Sequence, residues 1–279
     1  VAGGETLNLV FNAGGATNIS AAVNVGAGTI TATAGAGAVS LSGSPTITAA
    51  SFDAGSISKT AAGTVTLDAT TTTNALTLSS GTLQGSGNIT VNTGGAFNWI
   101  GNSTIAGTGT LITNGITTVT TVGADVQVNR NWINQGTINY SASGGNDLDV
   151  GAGATMTNAV GGIFNIASAT GSDVAVGSGA LVNLGTINKT TASLIAVRSN
   201  TFTNSGTINV NDGTLQLNST PTNDGTINVA SGATLGTNGN ALTNNAAGVI
   251  AGSGTINLTA ATLTNNGTIA PGGAGAAGI

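Results

Sequence analysis

The segments 202–210, FTNSGTINV, and 221–229, PTNDGTINV, decide how this chain folds. Each opens with an apolar residue or proline, passes through Thr to Asn, and continues two residues on as Gly-Thr-Ile. Working outward, the same register begins at Trp132, Met156, Leu181, Phe202, Pro221, Leu242 and Leu263, at intervals of 24, 25, 21, 19, 21 and 21 residues. The triplets WIN, MTN, LVN, FTN, PTN, LTN and LTN bring Asn134, Asn158, Asn183, Asn204, Asn223, Asn244 and Asn265 into one column. Ile138, Ile187, Ile208, Ile227 and Ile269 form a second column, which Ile163 and Ile250 are expected to join after short insertions. A register that recurs seven times is a structural repeat and not a bias of composition.

Within one repeat the apolar period is two. In GTINVNDGTLQL, Ile208 and Val210 share one face and Leu215 and Leu217 another, with Asn211-Asp212-Gly213 as the turn between them. No window carries apolar residues at helical spacing, and Gly, Thr and Asn are poor helix formers. The chain is expected to be all-β. Coils of 19 to 25 residues with about three short strands each predict a right-handed parallel β-helix, a solenoid of about 12–13 coils, with each strand paired to its equivalent one coil away. An antiparallel sandwich would not need the same residue type at the same place in every coil. The strict hexapeptide period of a left-handed helix is missing.

Residues 1–279 read as one β-helix domain, with regular coils over 132–273 and more degenerate coils over 1–131. In the degenerate part, GTVTL at 63–67, GNITV at 87–91 and GTLIT at 109–113 are expected to share a column. The Asn column predicts a structural ladder: identical amides one coil apart donate N–H to the next C=O. Left buried and unpaired, each would cost about 1–3 kcal/mol.

Composition excludes several functions. The chain has 4 basic and 9 acidic residues, a net charge of −5. Lys59, Arg130, Lys189 and Arg198 cannot neutralise a run of phosphates, so nucleic acid is not an expected partner. With neither His nor Cys, the chain lacks imidazole and thiolate nucleophiles and bases, and the usual zinc, haem and iron–sulfur ligands. No apolar run reaches the length of a membrane span, so this segment is not expected to insert into a bilayer.

Asp125, Asp149 and Asp173, spaced 24 residues apart and each followed by Val, are expected to stand in one column on the outer face. Carboxylates about 5 Å apart suit a retaining glycosidase pair; solvated surface charge is the plainer reading, and Ca²⁺ binding the third. Asp147 beside Asp149, in GGNDLDVGAG, is a single degenerate copy of a calcium-binding glycine-rich pattern. These four are the weak metal candidates, and no catalytic or cofactor-binding residue is assigned. For sugar stacking, Trp99, Trp132 and Tyr140 are the aromatics to place. Trp132 reads as core, because its column later holds Met156, Leu181, Phe202 and Leu242, whereas Trp99 is open. The runs TITAT at 29–33 and TTTTN at 70–74 allow a flat Thr face that orders water, although ordinary β-propensity also accounts for them.

FTNSGTINV, PTNDGTINV and LTNNGTIAPGG resemble the repeats of bacterial autotransporter passengers and of filamentous-haemagglutinin-like exoproteins secreted by the two-partner route. The closing NNGTIAPGGAGAAGI is similar to the segment that follows the last repeats of such passengers. The resemblance implies a right-handed β-helix at the bacterial cell surface, serving as adhesin, biofilm component or stalk. Expected partners are a host-cell or matrix surface, a glycan, or copies of the chain itself. No capping element is read at either end, which predicts a segment of a longer chain or a subunit that stacks end to end. The reading is therefore a non-catalytic extracellular structural and adhesive module. A self-assembling fibre subunit and a polysaccharide-degrading enzyme using the Asp125/Asp149/Asp173 face are the alternatives.

Overall fold

The computed structural model describes residues 7–11, 15–32, 38–121, 123–169 and 171–272. They form 33 strands and no helix, and every strand pairing is parallel. The chain is a β-solenoid of three faces. One coil shows the plan: Thr201–Asn204 lies on the first face, Thr207–Val210 on the second and Thr214–Leu217 on the third. Its successor repeats them as Thr222–Asn223, Thr226–Val229 and Thr234–Gly236. The two coils pair Asn204 with Asn223, Ile208 with Ile227 and Leu215 with Leu235.

On the first face one inward column runs Leu9, Ile30, Phe52, Thr71, Ile89, Leu111, Trp132, Met156, Leu181 and Phe202. It continues through the position of Pro221 to Leu242 and Leu263, thirteen rungs bounding twelve full turns. Successive rungs stand about 4.8 Å apart. Period-two alternation sends Phe202, Asn204, Ile208, Val210, Leu215 and Leu217 of a single coil into the interior, where all are buried.

The asparagines are indoors and stacked. Asn134 Nδ2 donates to Asn158 Oδ1 at 2.8 Å, and the pattern continues through Asn183, Asn204, Asn223 and Asn244 to Asn265, the last four links at 2.7 Å. Every amide from Asn134 to Asn244 is at most 1% exposed. The second N–H of each reaches main-chain carbonyls at the following turn, as Asn204 does with Gly206 and Thr226. Below Asn134 the same position holds Ala32, Ala54, Thr73, Val91 and Thr113. The ladder starts on the Thr113 hydroxyl, which donates to Asn134 Oδ1 and accepts from Trp132 Nε1.

The glycine after each Asn is demanded by close approach between coils. A Cβ on Gly206 would overlap the Gly185 carbonyl oxygen, and one on Gly225 would overlap that of Gly206. This is why Gly precedes Thr-Ile so regularly.

Three sequence expectations need correcting. Ile163 is not in the isoleucine column: Phe164 pairs with Ile138 and with Ile187, and Ile163 is 38% exposed. Ile250 does join it, opposite Ile227. GTVTL at 63–67 does not share a column with GNITV at 87–91. Val65 lies on the third face opposite Leu83, and Ile89 is instead opposite Thr71. In this part of the chain one strand, Thr64–Leu78, turns two corners and serves all three faces, so a short motif does not reveal its face. The run TTTTN is not a flat Thr surface, because Thr71 and Thr73 point inward and are 0% and 1% exposed. Thr33 of TITAT, and the terminal residues 1–6 and 273–279, where uncapped ends are expected, lie outside the described residues.

Asn204→Leu removes an acceptor from Asn183 and a donor from Asn223, and is expected to cost about 2–4 kcal/mol in denaturant unfolding. Asn265→Leu, at the exposed last rung, is expected to cost less than about 1 kcal/mol. Equal losses at the two sites would contradict an interior ladder.

Candidate functional site

The chemistry-bearing side chains gather on the third face and at the turns that enter it. Where Val126, Leu148 and Val174 fill successive inward positions, the residues before them are Asp125, Asp147 and Asp173. These three, and not Asp125, Asp149 and Asp173, form the carboxylate column. The equal 24-residue spacing is misleading because the coils differ in length: Val126 pairs with a residue 22 positions on, and Leu148 with one 26 positions on. Asp149 stands two residues further along its strand, opposite Gln127.

The column is a staircase. Asp125 Oδ1 accepts the Asp147 N–H at 2.7 Å, Asp147 Oδ1 accepts that of Asp173 at 2.6 Å, and Asp173 Oδ1 accepts that of Ala196 at 2.7 Å. Each carboxylate thus satisfies a main-chain donor of the next coil where the turn interrupts regular pairing. At the top Arg198 Nε meets Asp173 Oδ2 at 2.6 Å, the one ion pair among the described residues. Burial pushes the Asp147 carboxyl above its usual range. Asp149 is pushed up to about 6, first by burial and then by the charges of Asp125 and Asp147. No group of three or more His, Cys, Asp or Glu is placed to hold a metal ion among the described residues.

None of the three candidate aromatics is available for stacking on a sugar. Trp99, Trp132 and Tyr140 are all 0% exposed. Phe97 and Trp99 stack with ring centroids 5.3 Å apart, and Trp99 meets Trp132 edge-on at 5.7 Å. The Trp99 indole N–H donates to Ser103 Oγ, and the Tyr140 hydroxyl donates to the Asp173 carbonyl. These three rings are core, which settles Trp99 and completes the reading of Trp132.

Two features were missed in the sequence. Lys59 and Lys189 occupy the second-face column that elsewhere holds Leu41, Leu78, Trp99, Val119, Tyr140, Ile166, Val210 and Val229, and both are 0% exposed. Their stems pack with the core and their ammonium groups turn into the corner. There Lys59 donates to the carbonyls of Ala61 and Ser80, and Lys189 to those of Thr191 and Asp212. Arg130 does the same at another corner, with Nε on the Gly109 carbonyl at 2.6 Å and Nη2 on that of Gly87 at 2.7 Å. Burial lowers the pKa of all three, that of Arg130 to about 10.

The second missed feature is another amide ladder, on the outside of the second face. Asn165, Asn188, Asn209 and Asn228 each donate Nδ2 to the Oδ1 of the preceding coil's Asn, starting at Asn139, over 2.9–3.0 Å. The inner ladder donates toward later coils and this outer one toward earlier coils. The outer amides are therefore partnered with one another.

On the third face one outward file of side chains is not so occupied. It runs Thr82, Thr104, Gln127 and Asp149 over four consecutive coils. Two adjoining grooves lie over it and share Gln127. One, of about 390 Å³, is lined among others by Ser80, Thr82, Asn102, Thr104 and Asp125; the other, of about 230 Å³, by Asn129, Asp149, Gly151 and Ser178. No known protein family, characterised protein or solved structure matches the chain.

The raised Asp149 and Asp147 pKa values have a definite sign. A carboxyl that binds its proton more tightly in the folded state makes folding less favourable as pH rises from the unfolded value, near 3.8, to the folded one, about 6 for Asp149. The melting temperature is expected to be higher at pH 4.5 than at pH 7, and the difference to shrink in Asp149→Asn. A melting temperature that rises with pH across this window would contradict the burial of these groups.

Proposed function

We propose that the chain is a non-catalytic extracellular β-helix, the structural and adhesive rod of a bacterial surface protein. The observation that carries this reading is the continuity of stacking. The interior file of apolar residues and amides passes through coil after coil without a break, so the molecule extends along one axis at about 4.8 Å per coil. An object of this kind spans distance and offers long flanks, which suits a stalk that carries contacts away from a cell.

The arrangement of carboxylates supports the non-catalytic half. Asp125, Asp147 and Asp173 are each engaged by a main-chain N–H of the next coil, and Asp173 also by Arg198. A retaining glycosidase needs one carboxylate free to attack and another to shuttle a proton. Those three already hold adjacent coils together and are poorly placed for either role, which leaves Asp149 as the single unengaged carboxylate of the staircase and groove where a retaining pair is needed. The absence of His and Cys from the sequence narrows the possible general bases and nucleophiles further.

Adhesion is tested by coating beads with the chain and measuring their retention under flow on immobilised matrix proteins and polysaccharides, with a parallel assay for release of reducing ends. Retention above that of beads carrying an unrelated protein, without release of sugar, is expected. Retention no better than the control on every surface, or turnover of any polysaccharide, would contradict the proposal.

A further inference from the structure

The geometry points to the groove over Thr82, Thr104, Gln127 and Asp149 as a binding site for a linear neutral polysaccharide, lying along the rod axis. This deepens the adhesive reading above and rests on it, by assigning the flank and the class of ligand.

The first argument is the hydrogen-bonding state of the floor. Among the described residues, the side chains of Thr82, Thr104, Gln127 and Asp149 have no hydrogen-bond partner within the chain, whereas the amides of the neighbouring face are bonded to one another. Thr82, Thr104 and Asp149 are half-buried and Gln127 is exposed. The column therefore presents two hydroxyls, an amide and a carboxylate in a straight file, one per coil, about 4.8 Å apart.

The second argument is shape. The file is roofless but walled: Ser80, Asn102 and Asp125 stand on the larger groove, and Asn129 and Ser178 on its continuation. Asn102 reaches its place through a left-handed backbone, φ 62°, in the turn before its strand. Because the two grooves join at Gln127, an extended chain fits better than a compact small molecule.

The third argument is chemistry by exclusion. The two grooves are lined by Asp125 and Asp149 and by no Lys or Arg, so an anionic chain such as a polyuronate, a sulfated glycan or a nucleic acid would be repelled. An extended peptide would seek an unpaired strand edge, but the floor strands Gly81–Gln84, Ser103–Ala106 and Val126–Asn129 are each paired on both sides. Sugar hydroxyls donate and accept, and so match hydroxyl, amide and acceptor-only carboxylate alike. With no aromatic platform, affinity has to accumulate along the chain, and a longer oligosaccharide binds more tightly than a short one.

Isothermal titration of the folded chain with cellohexaose, laminarihexaose, mannohexaose and xylohexaose tests this, with hexagalacturonate as the anionic comparison. At least one neutral hexaose is expected to bind, about tenfold or more tighter than its disaccharide and than hexagalacturonate. Gln127→Ala and Thr104→Val, confirmed folded by circular dichroism, are each expected to weaken it about tenfold. Asn188→Ala, on the other face, is expected to leave it unchanged. Absence of binding by every neutral hexaose, binding indifferent to both groove variants, or equal binding of the polyuronate would overturn the proposal. If the groove fails while coated beads still adhere, adhesion uses another surface; if a hexaose binds and is cleaved, the groove stands and the non-catalytic reading falls.

Discussion

A polar amide placed indoors has to find its partners, and the side-chain partner that recurs along this ladder is the equivalent amide one coil away, with main-chain carbonyls taking the remaining N–H. From Asn134 to Asn265 that requirement sets the phase of the stack. A coil that slipped by one residue would turn its Asn outward and strand two neighbours, at about 1–3 kcal/mol for each unsatisfied group. The variable coil lengths are then absorbed in the turns: extra residues enter between the first and second faces at Gly161 and Gly162, and between the second and third faces the Asp125–Asp147–Asp173 staircase ties successive coils of unequal size. Gly185, Gly206 and Gly225 follow from the same constraint, since the coils stack too closely there for a Cβ. In the earlier coils Ala32, Ala54 and Val91 occupy the Asn position, and cohesion comes from apolar packing and from strands such as Thr46–Lys59 that run round a corner.

The buried cations obey a related rule. A stacked parallel turn leaves carbonyl oxygens in file at the corner, and an isolated buried ammonium or guanidinium is costly unless donors meet acceptors. Lys59, Lys189 and Arg130 each bridge carbonyls from two levels of the stack. Most of the chain's few positive charges are thus spent holding coils together, which leaves the flanks dominated by hydroxyls and amides and lightly negative. This distribution gives the groove over Gln127 its preference for an uncharged ligand.

The repeat, the all-β parallel stack and the interior Asn ladder were legible in the sequence because each is a column of like residues at near-constant spacing. Legibility failed where spacing and register part company. Asp149 was placed with Asp125 and Asp173 by equal intervals, but a short turn and a long one put Asp147 there instead. Residue type alone aligns Ile163, but Phe164 takes the inward place because the turn at Gly161 and Gly162 is two residues longer than its counterparts in the neighbouring coils. The signal for the buried lysine was present: TINK at 186–189 aligns with TINV at 207–210, setting Lys189 on Val210. Likewise the Asn of each TIN triplet was readable as outward, but only the coordinates of neighbouring coils reveal that these exposed amides bond to one another. The groove was not readable at all, since it joins Thr82 to Asp149 across four coils with no shared motif.

The absence of cysteine from the chain makes paired spin labelling direct. Labels at Thr31 and Thr157, outward positions of the first-face column six rungs apart, and at Thr31 and Thr264, eleven rungs apart, read the axis of the molecule. With about 4.8 Å per rung, dipolar spectroscopy is expected to give mean separations of about 29 Å and about 53 Å, in proportion to the number of rungs. A second distance no longer than the first would contradict a parallel stack in register, and with it everything assigned to the flanks.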